Sequence, residues 1–361
     1  MKYMLFRTHH CAQKLLYAFR KMSSPSPKKA CGRLTIGTHD GTFHCDEVTA
    51  CWMLKQLPRY KDAEIVRTRD NSKLGQCDIV VDVGGVYDPK TFRFDHHQRS
   101  FNGTMKSLAN AKWETKLSSA GLVYLHYGKE VISQLIKMPP DDRDVNRLYD
   151  KIYEKFIEEI DGIDNGIDQY DGTPRYQITT NLSSRVSGLN PAWNEKEPNA
   201  DAGFKKAMEL CGLEFMDRIN YYKDSWLPAR TIVEEAVGTR KKVDASCEII
   251  VFNKSGCPWK EHLFDIELEQ ALEPTIKFVL YQDQNHNWRV QCVPETLGSF
   301  QNRISLCASW CGLREDTLST ASGISDCVFV HANGFIGGNK TYEGALEMAR
   351  KTLRAHRNKE E

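Results

Sequence analysis

Gly37-Thr38-His39-Asp40-Gly41-Thr42-Phe43-His44-Cys45-Asp46-Glu47 follows the short β-like run Leu34-Thr35-Ile36 and leads into a helix-like stretch, Glu47 to Leu57, with Val48, Cys51 and Trp52 on one face. A strand that passes to a helix through a polar turn is the opening of an α/β unit. The same alternation continues outward. Glu64-Ile65-Val66-Arg67-Thr68, Asp78-Ile79-Val80-Val81-Asp82-Val83 and Phe92-Arg93-Phe94 read as further strands, and Ser118 to Tyr127 as a further helix. Strands alternating with helices predict a mainly parallel sheet covered on both faces, with functional groups gathered at the carboxyl ends of the strands.

Beyond this region, Val145, Leu148, Tyr149, Ile152, Phe156 and Ile160 recur at helical spacing, and the helix they predict ends in Asp161-Gly162-Ile163-Asp164-Asn165-Gly166. Further helices are expected over about 200–240, including Phe204 to Phe215. From about Val243 the character changes to β-runs at Glu248–Phe252, Thr275–Tyr281, Trp288–Val293 and Cys327–His331, followed by a helix from Tyr342 to about Arg354. The expected organisation is a leader and linker over 1–32, an α/β domain over 33–180, a helical connector over 181–242 and a smaller α+β C-terminal domain over 243–361.

The 361 residues carry 49 basic and 48 acidic side chains, but the first 33 hold eight Lys or Arg and no acid, so the remainder has a net charge of −7. Such a body is not a generic basic coat for nucleic acid, and any polyanion must meet a local cation or a metal. The leader sets Lys2, Arg7, Lys14, Arg20 and Lys21 among Leu5, Phe6, Leu15, Leu16, Tyr17 and Phe19, and is followed by Ser23-Ser24-Pro25-Ser26-Pro27. This is the pattern of a mitochondrial presequence and linker; Lys28-Lys29 adds a short basic pair of the kind used in nuclear import. No run reaches the roughly 18–20 apolar residues of a membrane span. The twelve cysteines are scattered without a secretory pattern, so reduced thiols of an intracellular protein are expected.

Three stretches concentrate metal-ligand side chains directly after predicted strands: His39, Asp40, His44 and Asp46 after the first; Asp82, before Gly84-Gly85; and Asp95-His96-His97 after Phe92-Arg93-Phe94. Asp161 and Asp164 continue the apolar stripe of their helix and so aim inward. Singly, a His-x-Asp is common and a strand-end Asp is an ordinary turn former or cap. Together and in this order they specify a metal site. Mixed imidazole and carboxylate donors suit two Mn²⁺ ions, with Mg²⁺ the alternative, better than one structural zinc. Two such ions support in-line displacement at phosphorus. His39 or Asp40, and Asp161 or Asp164, are alternatives for single positions, and Glu47 or Asp40 reads equally as a supporting partner of the ligands.

The order His-x-Asp, strand-terminal Asp, Asp-His-His, helix-borne Asp resembles the DHH phosphoesterase superfamily, which includes RecJ-type exonucleases, oligoribonucleases and manganese pyrophosphatases. The fuller strings Gly37–Glu47, Val80–Gly85, Phe94–Ser100 and Glu158–Gly166, with Cys257-Pro258-Trp259-Lys260-Glu261-His262 and Phe335-Ile336-Gly337-Gly338, are similar to the metal-dependent hydrolases of the melanocyte proliferating gene one family, over essentially everything from residue 34 onward. The resemblance implies a Rossmann-like DHH domain carrying the metals, a C-terminal domain that binds substrate, and 3′→5′ RNA exonuclease activity in mitochondria and nucleus. It matches His39, His44, Asp46, Asp82, His96 and one of Asp161 or Asp164 to metal-ligand positions, with Asp82 bridging and His97 contacting the scissile phosphate. His44 stands where the superfamily places an Asp.

In the C-terminal region Phe335-Ile336-Gly337-Gly338-Asn339-Lys340-Thr341 precedes a helix, so glycine amides, the helix N-terminus and Lys340 are expected to bind phosphate. Asn339 stands where superfamily relatives carry the His of a Gly-Gly-His-type substrate loop. Trp259 with Lys260, or Arg303, is a further candidate for base stacking or phosphate contact. The expected function is a manganese-dependent phosphodiesterase acting on RNA. A hydrolase of dinucleotides or pyrophosphate is the first alternative, and a catalytically idle RNA-binding scaffold the second.

Overall fold

The computed structural model describes residues 33–360, in two compact units that divide between Ile219 and Asn220. The expected leader lies outside the described residues. The chain is a mixed α/β protein with a sheet containing parallel pairs in each unit. Among the described residues, no helix is long and apolar enough to cross a membrane.

The first unit opens with β1 (Thr35–Thr38), α1 (Cys45–Lys55), β2 (Glu64–Arg67), the one-turn α2 (Asn71–Leu74), β3 (Ile79–Val81), β4 (Tyr87–Asp88) and β5 (Arg93–Phe94). The sheet order is β2-β1-β3-β5-β4, parallel except for the β4–β5 pair. Four parallel strands place four carboxyl ends along one edge, so the turns after β1, β3 and β5 converge although they are far apart in sequence. Helices α3 (Met105–Ala109), α4 (Ser119–Ile136), α5 (Arg143–Ile152), α6 (Glu158–Asp164), α7 (Leu182–Ser187) and α8 (Ala200–Tyr221) follow. α1 packs along α4, and these two helices also touch β3 and β5 respectively. α1 is buried over nearly its whole length, because it lies between the sheet and other helices. On the opposite face, Leu74 and Cys77 pack on Val80, and Gly37 leaves room for them.

The expected Val145–Ile160 helix is interrupted: a π-helical turn over Tyr153–Ile157 joins α5 to α6. The wider turn lets Tyr153, Phe156 and Ile157 all face the interior. A second π turn, Tyr222–Trp226, joins α8 to α9 (Leu227–Val243). The segment expected as a connector therefore contributes α7 and most of α8 to the first unit and α9 to the second.

The second unit contains β6 (Ile249–Val251), α10 (Lys260–Glu269), β7 (Phe278–Gln282), β8 (Trp288–Cys292), α11 (Glu315–Ser322), β9 (Cys327–Val330), β10 (Ile336–Asn339) and α12 (Tyr342–Glu360). Its sheet runs β6-β7-β8-β10-β9, with only β6–β7 parallel. Strand alternation sends Phe278, Leu280, Val290 and Cys292 to a core shared with Leu318, Ala345, Met348 and Ala349 of α11 and α12. It sends Ile250 and Val279 to the other face, against Val233, Val237, Leu263 and Ile266 of α9 and α10.

The expected phosphate loop at Gly337-Gly338-Asn339-Lys340 is corrected by this topology. Gly337 and Gly338 lie in β10, paired on both sides with β8 and β9, so their backbone belongs to the sheet. Glycine is needed for packing: a Cβ at Gly337 would approach Leu306 and Met348 at 2.9 Å, and one at Gly338 would overlap the Arg289 guanidinium. Asn339 is fully buried, donating to Ser325 O at 2.7 Å and accepting from Thr341 N at 2.9 Å. Lys340 is exposed.

Candidate metal centre

His39 leaves the end of β1 and is buried. Its Nδ1 lies 3.0 Å from Asp40 O, which fixes the ring, and its Nε2 lies 3.0 Å from Glu47 Oε1 and 3.3 Å from Asp82 Oδ2. His44 caps α1 through a reciprocal box in which its N–H donates to Glu47 Oε1 at 2.9 Å and Oε2 at 3.1 Å. One carboxylate thus both starts the helix and faces the cluster. The alternative residue Asp40 turns away, with its Oδ1 3.4 Å from Arg69 Nε.

Asp82 follows β3. Its N–H donates to Phe94 O at 3.0 Å, extending the ladder by one residue, and its φ of 59° then turns the chain into Gly84 and Gly85. A left-handed aspartate is an uncommon conformation of the sort found at functional sites. Asp95, after β5, accepts from Gly85 N at 2.6 Å and holds His97 through its N–H (3.1 Å) and Nδ1 (2.8 Å), so the two strand-end turns are tied together. His96 turns inward, with Nε2 3.3 Å from Asp82 Oδ1, 3.1 Å from Asp164 Oδ2 and 3.9 Å from Asp46 Oδ2. His97 turns outward, its side chain 61% exposed and its ring centroid 4.4 Å from that of His96.

Asp46, in the first turn of α1, is wholly buried and accepts from Ser119 Oγ at 2.8 Å, so α4 orients it. Asp164 ends α6 and joins His44 and Asp46. Among the described residues, three overlapping groups have donor atoms within 4.8 Å of one another: His39, His44, Glu47 and Asp82; Asp82, His96 and His97; and His44, Asp46 and Asp164.

Asp161, the alternative to Asp164, is not among them. It is wholly buried. Its Oδ1 accepts from Ser118 N (2.9 Å), Ser118 Oγ (2.7 Å) and Gly121 N (3.0 Å), and its Oδ2 from Tyr153 Oη (3.1 Å). This carboxylate anchors the amino end of α4, where a Cβ at Gly121 would overlap it. Burial raises its pKa to about 7 against the opposing effect of those hydrogen bonds.

The electrostatics of the cluster fit cations. Asp46, Glu47, Asp82 and Asp164 face two buried imidazoles. Burial lowers the pKa values of His39 and His96, but carboxylates outweigh it: Asp82 and Glu47 raise His39 to about 10, and Asp164 and Asp82 raise His96 to about 10. Asp82 is held below the usual carboxylate range, because the two histidines overcome its burial. Asp46 is pushed well above it by burial, then by the charges of Asp82, Asp164 and Glu47. His39 Nε2, Asp46 Oδ1, Asp82 Oδ1 and both ring nitrogens of His96 are buried without an aligned hydrogen bond. Buried polar atoms are rarely left so, and atoms that converge in this way form a candidate ligand set.

Sequence reasoning left Glu47 as a supporting partner, although the His44-x-x-Glu47 spacing of a capping box marks its inward turn. It missed Ser119, which no local pattern connects to Asp46. Lys260 begins α10 in the second unit, beside Trp259.

A family model described as MYG1_exonuc, "Uncharacterised protein family (UPF0160)", matches residues 35–353. A Bos taurus protein named "MYG1 exonuclease" is 58% identical over 320 residues, 88% of this chain and 84% of that one. The Homo sapiens protein of the same name is 55% identical over 337 residues, 92% and 90% of the two chains. A Dictyostelium discoideum "MYG1 protein" is 49% identical over 324 residues, 89% and 96%. No solved structure matches the chain. With the family model spanning nearly all the described residues and these relatives covered over most of their length, the chain belongs to the MYG1 exonuclease family.

Proposed function

We propose that this protein is a two-metal 3′→5′ exoribonuclease of the DHH type, using Mn²⁺ with Mg²⁺ as the alternative. The observation that carries the reading is the convergence of unsatisfied, buried imidazole and carboxylate atoms at the carboxyl ends of parallel strands. The printed names of the cattle and human relatives add the exonuclease class. His39, His44, Asp46, Asp82, His96 and Asp164 would hold the ions, with Glu47 beside them. Asp82 and His44 each occur in two of the three groups, and of the two only the carboxylate has two oxygens to share, which supports a bridging role for Asp82. Divalent cations bound there supply Lewis acidity and neutralise the charge of a phosphodiester.

The chain's own residues do the rest. Asp95 accepts from His97 Nδ1, which fixes the exposed ring and raises its pKa, so His97 would turn its Nε2 edge towards a phosphate oxygen. The Asp95–Gly85 bond keeps His97 and Asp82 in register. The acid-free basic leader supports action in mitochondria, with the nucleus as a second site; a reporter fused to residues 1–32 that stays diffuse in the cytosol would refute the mitochondrial part.

The test is purified protein with Mn²⁺ and end-labelled RNA and DNA oligomers, beside dinucleotides and pyrophosphate. Stepwise shortening of RNA from its 3′ end is expected. Cleavage of only dinucleotides or pyrophosphate would replace the exonuclease with a small-substrate hydrolase, and no metal-dependent cleavage at all would leave a binding protein.

A further inference from the structure

The second unit contains a cavity of about 380 Å³ that the metal centre does not use, lined chiefly by Tyr221, Tyr222, Trp226, Trp259, Lys260 and Gln291. Its size falls within the range of small-molecule sites. The π turn at Tyr222–Trp226 forms one wall, where Tyr222 and Trp226 meet edge to face with ring centroids 5.8 Å apart, and Tyr221 and Tyr222 meet at 5.2 Å. His262 Nε2 lies 2.7 Å from Trp226 O, and Trp226 Nε1 donates to Glu261 Oε2 at 2.8 Å, which pins that wall to α10. Of the lining rings, Trp259 is only 3% exposed, whereas Tyr221 is 49% exposed and reachable from solvent.

The polar groups are few and separated. Gln291 Oε1 accepts from Tyr281 Oη at 3.0 Å, which orients the amide and leaves its Nε2 as a donor. Lys260 is exposed at the start of α10. Glu261, whose Oε2 accepts from Trp226 Nε1, is the anion of the lining, and the adjacent Lys260 offsets its charge and opposes a positively charged guest. Rings for a flat apolar face, an amide for its polar edge and a lysine for an anion are together the recognition chemistry of a nucleotide.

We propose that this cavity is a nucleotide-binding subsite, in which a base lies against the lining rings beside Tyr221, its edge meets Gln291 and its phosphate meets Lys260. The proposal deepens the exonuclease reading by assigning part of substrate recognition to the second unit, and it rests on that reading for the nucleotide's origin in a nucleic-acid strand.

The experiment uses the full chain in chelator, so that nothing turns over. Calorimetric titration with adenosine 5′-monophosphate is expected to show one site, weakened about tenfold in Tyr221→Ala and in Lys260→Gln, with inorganic phosphate at least about tenfold weaker than the nucleotide. A 5-iodouridine oligonucleotide is expected to crosslink within 221–226 or 257–261. Absence of nucleotide binding, equal binding of phosphate, unchanged affinity in both variants, or crosslinks confined to other peptides would overturn the proposal. Capture of a proline-rich peptide in preference to the nucleotide would also overturn it. The two readings fail separately: a protein that binds the nucleotide here yet degrades no nucleic acid with metal supports the subsite and refutes the exonuclease.

Discussion

Asp82 and Asp161 are both buried carboxylates of the first unit, and their surroundings differ in kind. Around Asp161, Ser118, Gly121 and Tyr153 supply donors for both oxygens. Around Asp82, Oδ1 has no aligned donor, further carboxylates crowd in, and the backbone adopts a left-handed turn. The first arrangement is complete as it stands and joins α4 to α6. The second holds more carboxylates than its two imidazoles offset and leaves acceptors without aligned donors, which is what the proposed cations would meet. Burial alone therefore does not mark a candidate ligand; burial with converging, unsatisfied acceptors does.

Substitution of each residue separates the two regions. Asp82→Asn keeps volume and tolerates the left-handed turn, but loses the charge, and is expected to lower Mn²⁺-dependent hydrolysis by about a thousandfold or more without lowering the metal-free melting temperature. Retained turnover, or unfolding, would remove Asp82 from the metal-holding role proposed for it. Asp161→Ala strands several buried donors at once and is expected to cost about 3 kcal/mol or more in urea unfolding, while the folded fraction keeps its metal stoichiometry. Loss of metal at unchanged stability would exchange the roles of the two regions.

A second pair of measurements sharpens the contrast. Mn²⁺ at a hundredfold excess over its Kd should stabilise the wild type by about 2.7 kcal/mol, and Asp82→Asn should lose most of that increment whereas Asp161→Asn should not. The pH dependence runs through Asp161. Its folded pKa, about 7, lies above the ordinary carboxylate value, so the folded state binds the extra proton. Its contribution to stability is present below about pH 4 and is lost as pH rises towards 7, with a slope of at most about 1.4 kcal/mol per pH unit. Subtracting the profile of Asp161→Asn from that of wild type in chelator should isolate this slope; parallel profiles would show that Asp161 is ionised throughout. The smallest effect is expected at Lys340: Lys340→Ala, exposed beyond the end of β10, should change RNA hydrolysis by less than about twofold, and a larger loss would restore the phosphate role first expected for it.

Much of the first unit was legible because β1, β2 and β3 are short runs rich in β-branched residues, β1, β3 and β5 each pass directly to a His or Asp, and parallel pairing brings those turns to one edge. His39, Asp82 and His96 could be chosen on that basis. Asp161 and Asp164 could not be separated, since both continue the same helical stripe; what divides them is Ser118 and Gly121, some 40 residues earlier in the chain. The π turns left no periodic signature, because Tyr153 and Trp226 are turned by what they pack against and bond to. Gly337-Gly338 reads as a loop to anyone weighing glycine's backbone freedom, whereas here the residue is required for its lack of a side chain beside Met348 and Arg289.

The π turn at Tyr153–Ile157 also sets the phase of everything beyond it. Removing one residue there would restore an unbroken α-helix and rotate the following turns by about 100° around the axis. Tyr153 would then lose Asp161, eight positions on, and Asp164 would swing away from His96, so neither carboxylate would meet its partners although each kept its identity. A deletion of a single residue, remote in sequence from every strand-end member of the cluster, would thus dismantle the anchor of α4 and open the cluster on one side together. In this helix, length is as much a part of the site as composition.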